Sequence, residues 1–164
     1  MAASGKATVK VRAEDGSTET AQIDWRTDDS GYPLDYAHVR IRLSGESREG
    51  VAPDCFDAFQ LAREYFESAG YRFLCYGASP GVWPSGLRRQ MQLGLVGYKH
   101  DLNREPGPDL FDIFESGSDI VPSTVEEQNA FAQAWIESIA ERPKLARRSS
   151  IKDWWKRIRG NILH

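Results

Sequence analysis

The chain has 164 residues, 40% hydrophobic and 27% charged, with a formal net charge of −3. That length suits one domain, commonly about 100–150 residues, which can bury most of its apolar surface without a covalent staple. Two cysteines and three histidines are too few for a disulfide framework or a closed zinc site of ordinary spacing, so reduced thiols and neither metal nor cofactor are expected.

Met1 to Lys6 leads straight into polar–apolar alternation, and no stretch approaches the roughly 18 apolar residues of a membrane span, so a cytoplasmic protein is expected. Ala7, Val9 and Val11 alternate with Thr8, Lys10 and Arg12; after Glu14-Asp15-Gly16-Ser17 the alternation resumes at Ala21, Ile23 and Trp25. Period 2 around Asp-Gly predicts a hairpin. A loop rich in turn formers, Thr27 to Pro33, precedes a third strand with Ala37, Val39, Ile41 and Leu43 on one face and His38, Arg40 and Arg42 on the other. The three strands are expected to form an antiparallel meander.

Pro53 and Asp54 open a helix with the apolar stripe Phe56, Phe59, Ala62, Phe66 and Ala69, stopped by Gly70. It should cover the sheet. Tyr71 to Tyr76 reads as a strand, Gly77 to Gly81 as a loop, and Pro84-Ser85 as the start of a short helix reaching Met91. Leu95 to His100 and Leu110 to Glu115 read as a second hairpin around the polar turn Asp101 to Asp109. Ser123 with Glu126 has the capping-box spacing, and opens a helix with the apolar ladder Val125, Phe131, Trp135 and Ile139, ended by Pro143. The fold class is therefore α+β over residues 1–143, a mainly antiparallel sheet covered by two helices, with a basic amphipathic helix over 144–164.

Searching this layout for chemistry yields no catalytic residue, so no enzyme is expected. Ser85 lacks the Gly-x-Ser-x-Gly elbow that would expose a nucleophile, and reads as a helix cap. Cys55 sits in the first turn of a helix, where a dipole can lower a thiol pKa, but free cysteine is among the most buried residue types and core filler is expected. Gly77, Gly81 and Gly86 are not followed by Gly-Lys-Ser/Thr and read as turn residues. His100 and Asp101 would point to opposite faces of a strand, leaving a solvated histidine. Asp109, Asp112, Glu115 and Asp119 match no calcium loop and read as a solvated acidic edge.

Binding surfaces remain. Lys10, Arg12, His38, Arg40 and Arg42, with Asp24 as main counter-charge, form either a plain solvated sheet face or a receptor for an acidic partner. Trp83, in a Pro-Gly loop, could anchor a partner or fold back onto the core. Residues 144–164 hold seven of the 21 Lys and Arg and one of the 24 acidic residues, a net +6, leaving 14 basic and 23 acidic residues, a net −9, on the body. An acidic body disfavours nucleic acid, whose binding rests on neutralised phosphates. In the tail, Ile151, Trp154, Trp155, Ile158 and Ile162 keep helical spacing while Lys152, Lys156, Arg157 and Arg159 occupy the remainder. Such a helix suits an anionic membrane surface, an acidic partner groove or the chain's own acidic body.

The run Gly77-Ala78, Val82, Pro84-Ser85-Gly86-Leu87, Gln90-Met91, Gly94, Tyr98, then Phe111-Asp112-Ile113-Phe114, then Thr124 to Gln128 with Phe131 and Trp135, resembles a group of small bacterial cytoplasmic proteins. Members of that group are similar to the immunity proteins of polymorphic or contact-dependent toxin systems. The resemblance covers residues 71–138 and implies a toxin inhibitor without catalysis, which binds one cognate, basic toxin by protein–protein interaction. Under it, Asp109, Asp112, Glu115 and Asp119, with Trp83 as anchor, are the expected partner-binding residues. The alternative is a peripheral membrane or adaptor module docking through Trp154, Trp155, Lys156, Arg157 and Arg159.

Overall fold

The computed structural model describes residues 2–28 and 36–140; most of the loop after Thr27 and the whole tail helix expected over 144–164, Trp154 and Trp155 included, lie outside them. Strand β1 (Ser4–Arg12) pairs antiparallel with β2 (Thr18–Thr27) in unbroken register from Ser4↔Arg26 to Arg12↔Thr18. Asp15 Oδ1 accepts Ser17 N–H at 2.8 Å and Gly16 takes φ +85°, which closes the turn. β3 (Ala37–Leu43) pairs with β2, completing the expected meander.

The sequence pattern hid a fourth strand, β4 (Glu46–Ala52), which returns against β3 through a two-residue turn with both Ser44 and Gly45 at positive φ, 51° and 78°. Its first four residues are polar, and its inward positions end in Gly50 and Ala52, so no apolar alternation announces it. Gly50 is small for a reason: a Cβ there would stand 2.0 Å from the Ala58 carbonyl oxygen. Helix α1 (Cys55–Ser68) lies against β4 and β3 at that point. Of the expected stripe, Phe56, Phe59, Ala62 and Phe66 are buried, whereas Ala69 is the exposed C-cap just past the helix end. Asp54 caps the helix by accepting Asp57 N–H at 2.9 Å, and Gly70, at φ +90°, ends it.

β5 (Arg72–Phe73) joins the far edge of the sheet at Arg12 and Val11, giving the order β4-β3-β2-β1-β5. The strand expected over Tyr71 to Tyr76 is thus cut to two residues, because the chain leaves β1 after Leu74 and turns through a 3-10 turn at Tyr76–Ala78. A second sheet follows, β6-β7-β8: β6 (Val82–Trp83), β7 (Val96–Lys99) and β8 (Leu110–Asp112), with helix α2 (Gly86–Met91) between β6 and β7. Phe59 ties the layers together, edge-on to Phe73 at 5.6 Å and to Phe114 at 5.2 Å. The result is the expected α+β architecture.

Helix α3 (Val125–Ala140) has its cap at Thr124, one residue after the expected Ser123. Thr124 and Glu127 make the capping box, Thr124 Oγ1 accepting Glu127 N–H at 3.1 Å and Glu127 Oε2 accepting Thr124 N–H at 2.8 Å. Ser123 is buried instead, its hydroxyl donating to the Ala78 carbonyl at 2.9 Å. α3 is held to α1 by a buried polar network. The Arg63 guanidinium donates to the Glu67 carboxylate, to Gln128 Oε1 and, at 3.0 Å, to the Ser123 carbonyl. Gln128 Nε2 donates to the Gly77 and Ser79 carbonyls at 3.0 and 2.9 Å, and Glu67 Oε2 accepts Val125 N–H at 2.8 Å. Burial pushes the Glu67 carboxyl above the usual range, with the Arg63 charge pulling it back.

Candidate binding cleft

The network sets α3 beside the second sheet, and between them opens a cleft of about 390 Å³. Trp83, Tyr98 and His100 form its sheet wall, Phe131, Trp135 and Ile136 its helix wall, and Pro106-Gly107 closes one end. Each tryptophan is pinned at its polar end. Trp83 Nε1–H donates to the Pro80 carbonyl at 2.8 Å while its ring rests on Phe56 at 5.0 Å, so Trp83 both folds onto the core and faces the cleft. Trp135 Nε1–H donates to the Arg104 carbonyl at 3.0 Å, and Ser138 Oγ accepts Asn103 N–H at 3.0 Å, which fastens the Asp101–Asp109 connection to α3.

His100 is not the solvated histidine its loop-end position suggested. Its Nδ1 lies 2.9 Å from the Tyr98 carbonyl and 3.2 Å from that of Gly81, both acceptors, which assigns the ring proton to Nδ1. The ring packs edge-on to Trp135 at 4.4 Å. Sequence reasoning missed His100, Phe131 and Trp135 as one site, although the His100 side of the cleft lies beside the Trp83 it had singled out. Period alone could assign Phe131 and Trp135 to an apolar ladder, but not to a wall of a cavity.

The expected acidic edge is divided. Asp109 and Glu115 are exposed, and Asp112 Oδ1 accepts Phe114 N–H at 2.8 Å. Asp119 turns elsewhere, taking Lys99 Nζ at 2.6 Å and Tyr76 Oη at 2.9 Å, partners that hold its carboxyl below the usual range. None of the four lines the Trp83 cleft.

On the solvent face of the larger sheet the basic residues are largely paired. Arg42 meets Asp24, while Arg40 meets Glu49 at 3.1 Å and Arg26 meets Asp28 at 2.8 Å. His38 Nε2 lies 2.7 Å from Asp28 Oδ2, and that hydrogen bond chiefly lowers the Asp28 pKa. Glu49 stands on the strand the sequence did not reveal, so this counter-charge went unseen.

Ser85 is the helix cap it was read to be, Oγ accepting Arg88 N–H at 3.3 Å. Cys55 and Cys75 are both buried, and burial pushes each thiol up to about 12, so neither is a thiolate at neutral pH. Among the described residues no group of three or more His, Cys, Asp or Glu is placed to hold a metal ion, and no helix is long and apolar enough to cross a membrane.

Fold and cleft together define an α+β protein with an aromatic-walled groove built on a buried polar frame. No protein-family model and no curated protein matches the chain.

Proposed function

We propose that the protein is a protein-binding, immunity-type inhibitor that seats an apolar side chain of its partner in the cleft between Trp83 and Trp135. The observation carrying this reading is the cleft itself: a volume of about 390 Å³ walled in large part by Trp83, Tyr98, His100, Phe131 and Trp135, with both tryptophans already fixed by hydrogen bonds. Pinned tryptophans lose little rotamer freedom on association, and aromatic pockets of this kind make the central hot spots of interfaces. All its lining residues fall within 71–138, the segment that carries the resemblance to toxin-neutralising proteins. The acidic body suits a basic partner, and the exposed carboxylates of Asp109 and Glu115, with the half-buried Asp112, would speed the encounter rather than fill the pocket.

Filling the cleft tests the reading without removing any hydrogen bond. Ala132, half-buried on its helix wall, is changed to Trp, and the chain is co-expressed with the product of the neighbouring open reading frame. Capture of that product, and protection of cells from it, should be lost while the melting temperature holds. Undiminished capture by Ala132→Trp would sink the proposal.

A further inference from the structure

Strand β1 has a second, largely uncovered edge. Its odd residues bond β2, as where the Ala3 carbonyl accepts Thr27 N–H at 2.8 Å. Its even residues therefore turn their N–H and C=O groups the other way. β5 meets that side only at Val11 and Arg12, with Leu74 N–H reaching the Lys10 carbonyl at 2.8 Å. From there back towards Ser4 the chain on that side has turned away, and the outward backbone groups of Lys6 and Thr8 have no partner among the described residues.

A groove of about 690 Å³ runs along this free edge, with Ala7, Val9 and Trp25 on the strand side and, opposite, Leu95 just before β7 and Phe114 just after β8. Lys6 and Lys10 belong to the strand; Asp112 and Glu115 belong to the β8 segment. The Lys6 side chain is 86% exposed, 4.0 Å from its nearest carboxylate, and Lys10 has no ion pair among the described residues. Side chains of an added strand would alternate between the Lys6–Thr8–Lys10 side and the Ala7–Val9 side.

We propose that the free half of β1 is a docking edge for an extended segment of a protein partner, which adds as a strand and carries acidic residues alternating with apolar ones. The acidic residues meet Lys6 and Lys10; the apolar ones meet Leu95 and Phe114. A second copy of this chain is a poor occupant, since edge-to-edge pairing sets lysines opposite or diagonal to lysines, and like charges across a pair are destabilising. A uniformly acidic segment is also disfavoured, because its other face would meet Asp112 and Glu115. From Ser4 to Val9, short of the Lys10 carbonyl that Leu74 occupies, the free edge is about 17 Å long at 3.4 Å per residue, room for a short strand. This site is separate from the Trp83 cleft, and neither proposal depends on the other.

The test uses the full chain and a capped, fluorophore-labelled nonapeptide alternating Glu and Val. Saturable binding that weakens with salt, and slowed hydrogen exchange at the Thr8 amide, are expected. Thr8→Pro removes an N–H that faces the open edge and none that bonds β2, so the fold should persist while affinity drops at least about ten-fold. The pair Lys6→Glu and Lys10→Glu should reverse the preference towards a peptide alternating Lys and Val. The proposal is overturned if the Glu–Val peptide does not bind, if both variants bind it like the parent chain, or if nona-glutamate binds equally well.

Discussion

Replacing Arg63 with Met tests whether the buried network holds α3 in place through charge or only through shape. Arg63 is fully buried and Glu67 8% exposed, with the guanidinium on the carboxylate. Methionine keeps most of the volume but strands the carboxylate, and breaking a buried pair from one side costs about 3–5 kcal/mol. For a domain of this size that corresponds to a melting temperature lower by about 6–20 °C. The sign with pH follows from Glu67, whose carboxyl sits above its ordinary range chiefly through burial. A carboxyl raised in the folded state contributes stability that is fully present below the unfolded pKa and lost as pH rises through the folded one. Removing Arg63 raises it further, so the variant's deficit should be smaller near pH 4, close to the unfolded glutamate value of about 4.3, than near pH 7, with the lost hydrogen bonds to Gln128 and Ser123 costing stability at both. Urea unfolding of both proteins at the two pH values measures this difference. The double change Arg63→Met with Glu67→Leu should recover part of the loss at neutral pH, the part due to the stranded carboxylate, while the Val125 N–H and the Ser123 carbonyl stay unpaired. An Arg63→Met deficit equal at both pH values would refute the electrostatic account.

Gly50→Ala should lower the urea midpoint sharply or prevent folding, because its methyl would lie 2.0 Å from the Ala58 carbonyl oxygen and push α1 off β4. Cys55 and Cys75 should resist a thiol reagent such as DTNB in the folded protein at neutral pH and react fully in denaturant, given burial and pKa values pushed up to about 12; rapid labelling of the native chain would contradict that. Deleting residues 144–164 should lower the melting temperature by many degrees if Trp154 and Trp155 pack on the acidic body, since a buried tryptophan is worth about 3–5 kcal/mol. Unchanged melting with loss of binding to anionic vesicles would assign the tail to a membrane surface instead.

Local features were legible without coordinates. Asp15-Gly16 announces the first hairpin, the Phe56–Phe59–Ala62–Phe66 spacing announces α1, and Gly70 and Ser85 mark a stop and a cap, because each depends on the backbone preferences of a few adjacent residues. Fold class followed from those periods. Pairing across distance was not legible. β4 is polar where solvent reaches it and carries the small residues Gly50 and Ala52 where it is buried, and of the helix's closeness only Gly50 gives a sign. Ser123 and Thr124 are both competent caps, and the choice went to Thr124 because Ser123 is drawn inward to the Ala78 carbonyl 45 residues away. Arg63 and Gln128, polar residues that composition assigns to the surface, are buried because each bonds the other, Arg63 also reaching Glu67 and the Ser123 carbonyl and Gln128 the Gly77 and Ser79 carbonyls. The cleft and the open edge belong to the same class: they are spaces left between elements, and no run of residues encodes a space. Sequence periodicity determined the first three strands and the long helices with their apolar faces; the tertiary structure decided β4, the length of β5 and which faces were left uncovered, since pairing and burial depend on partners that approach only as the chain folds.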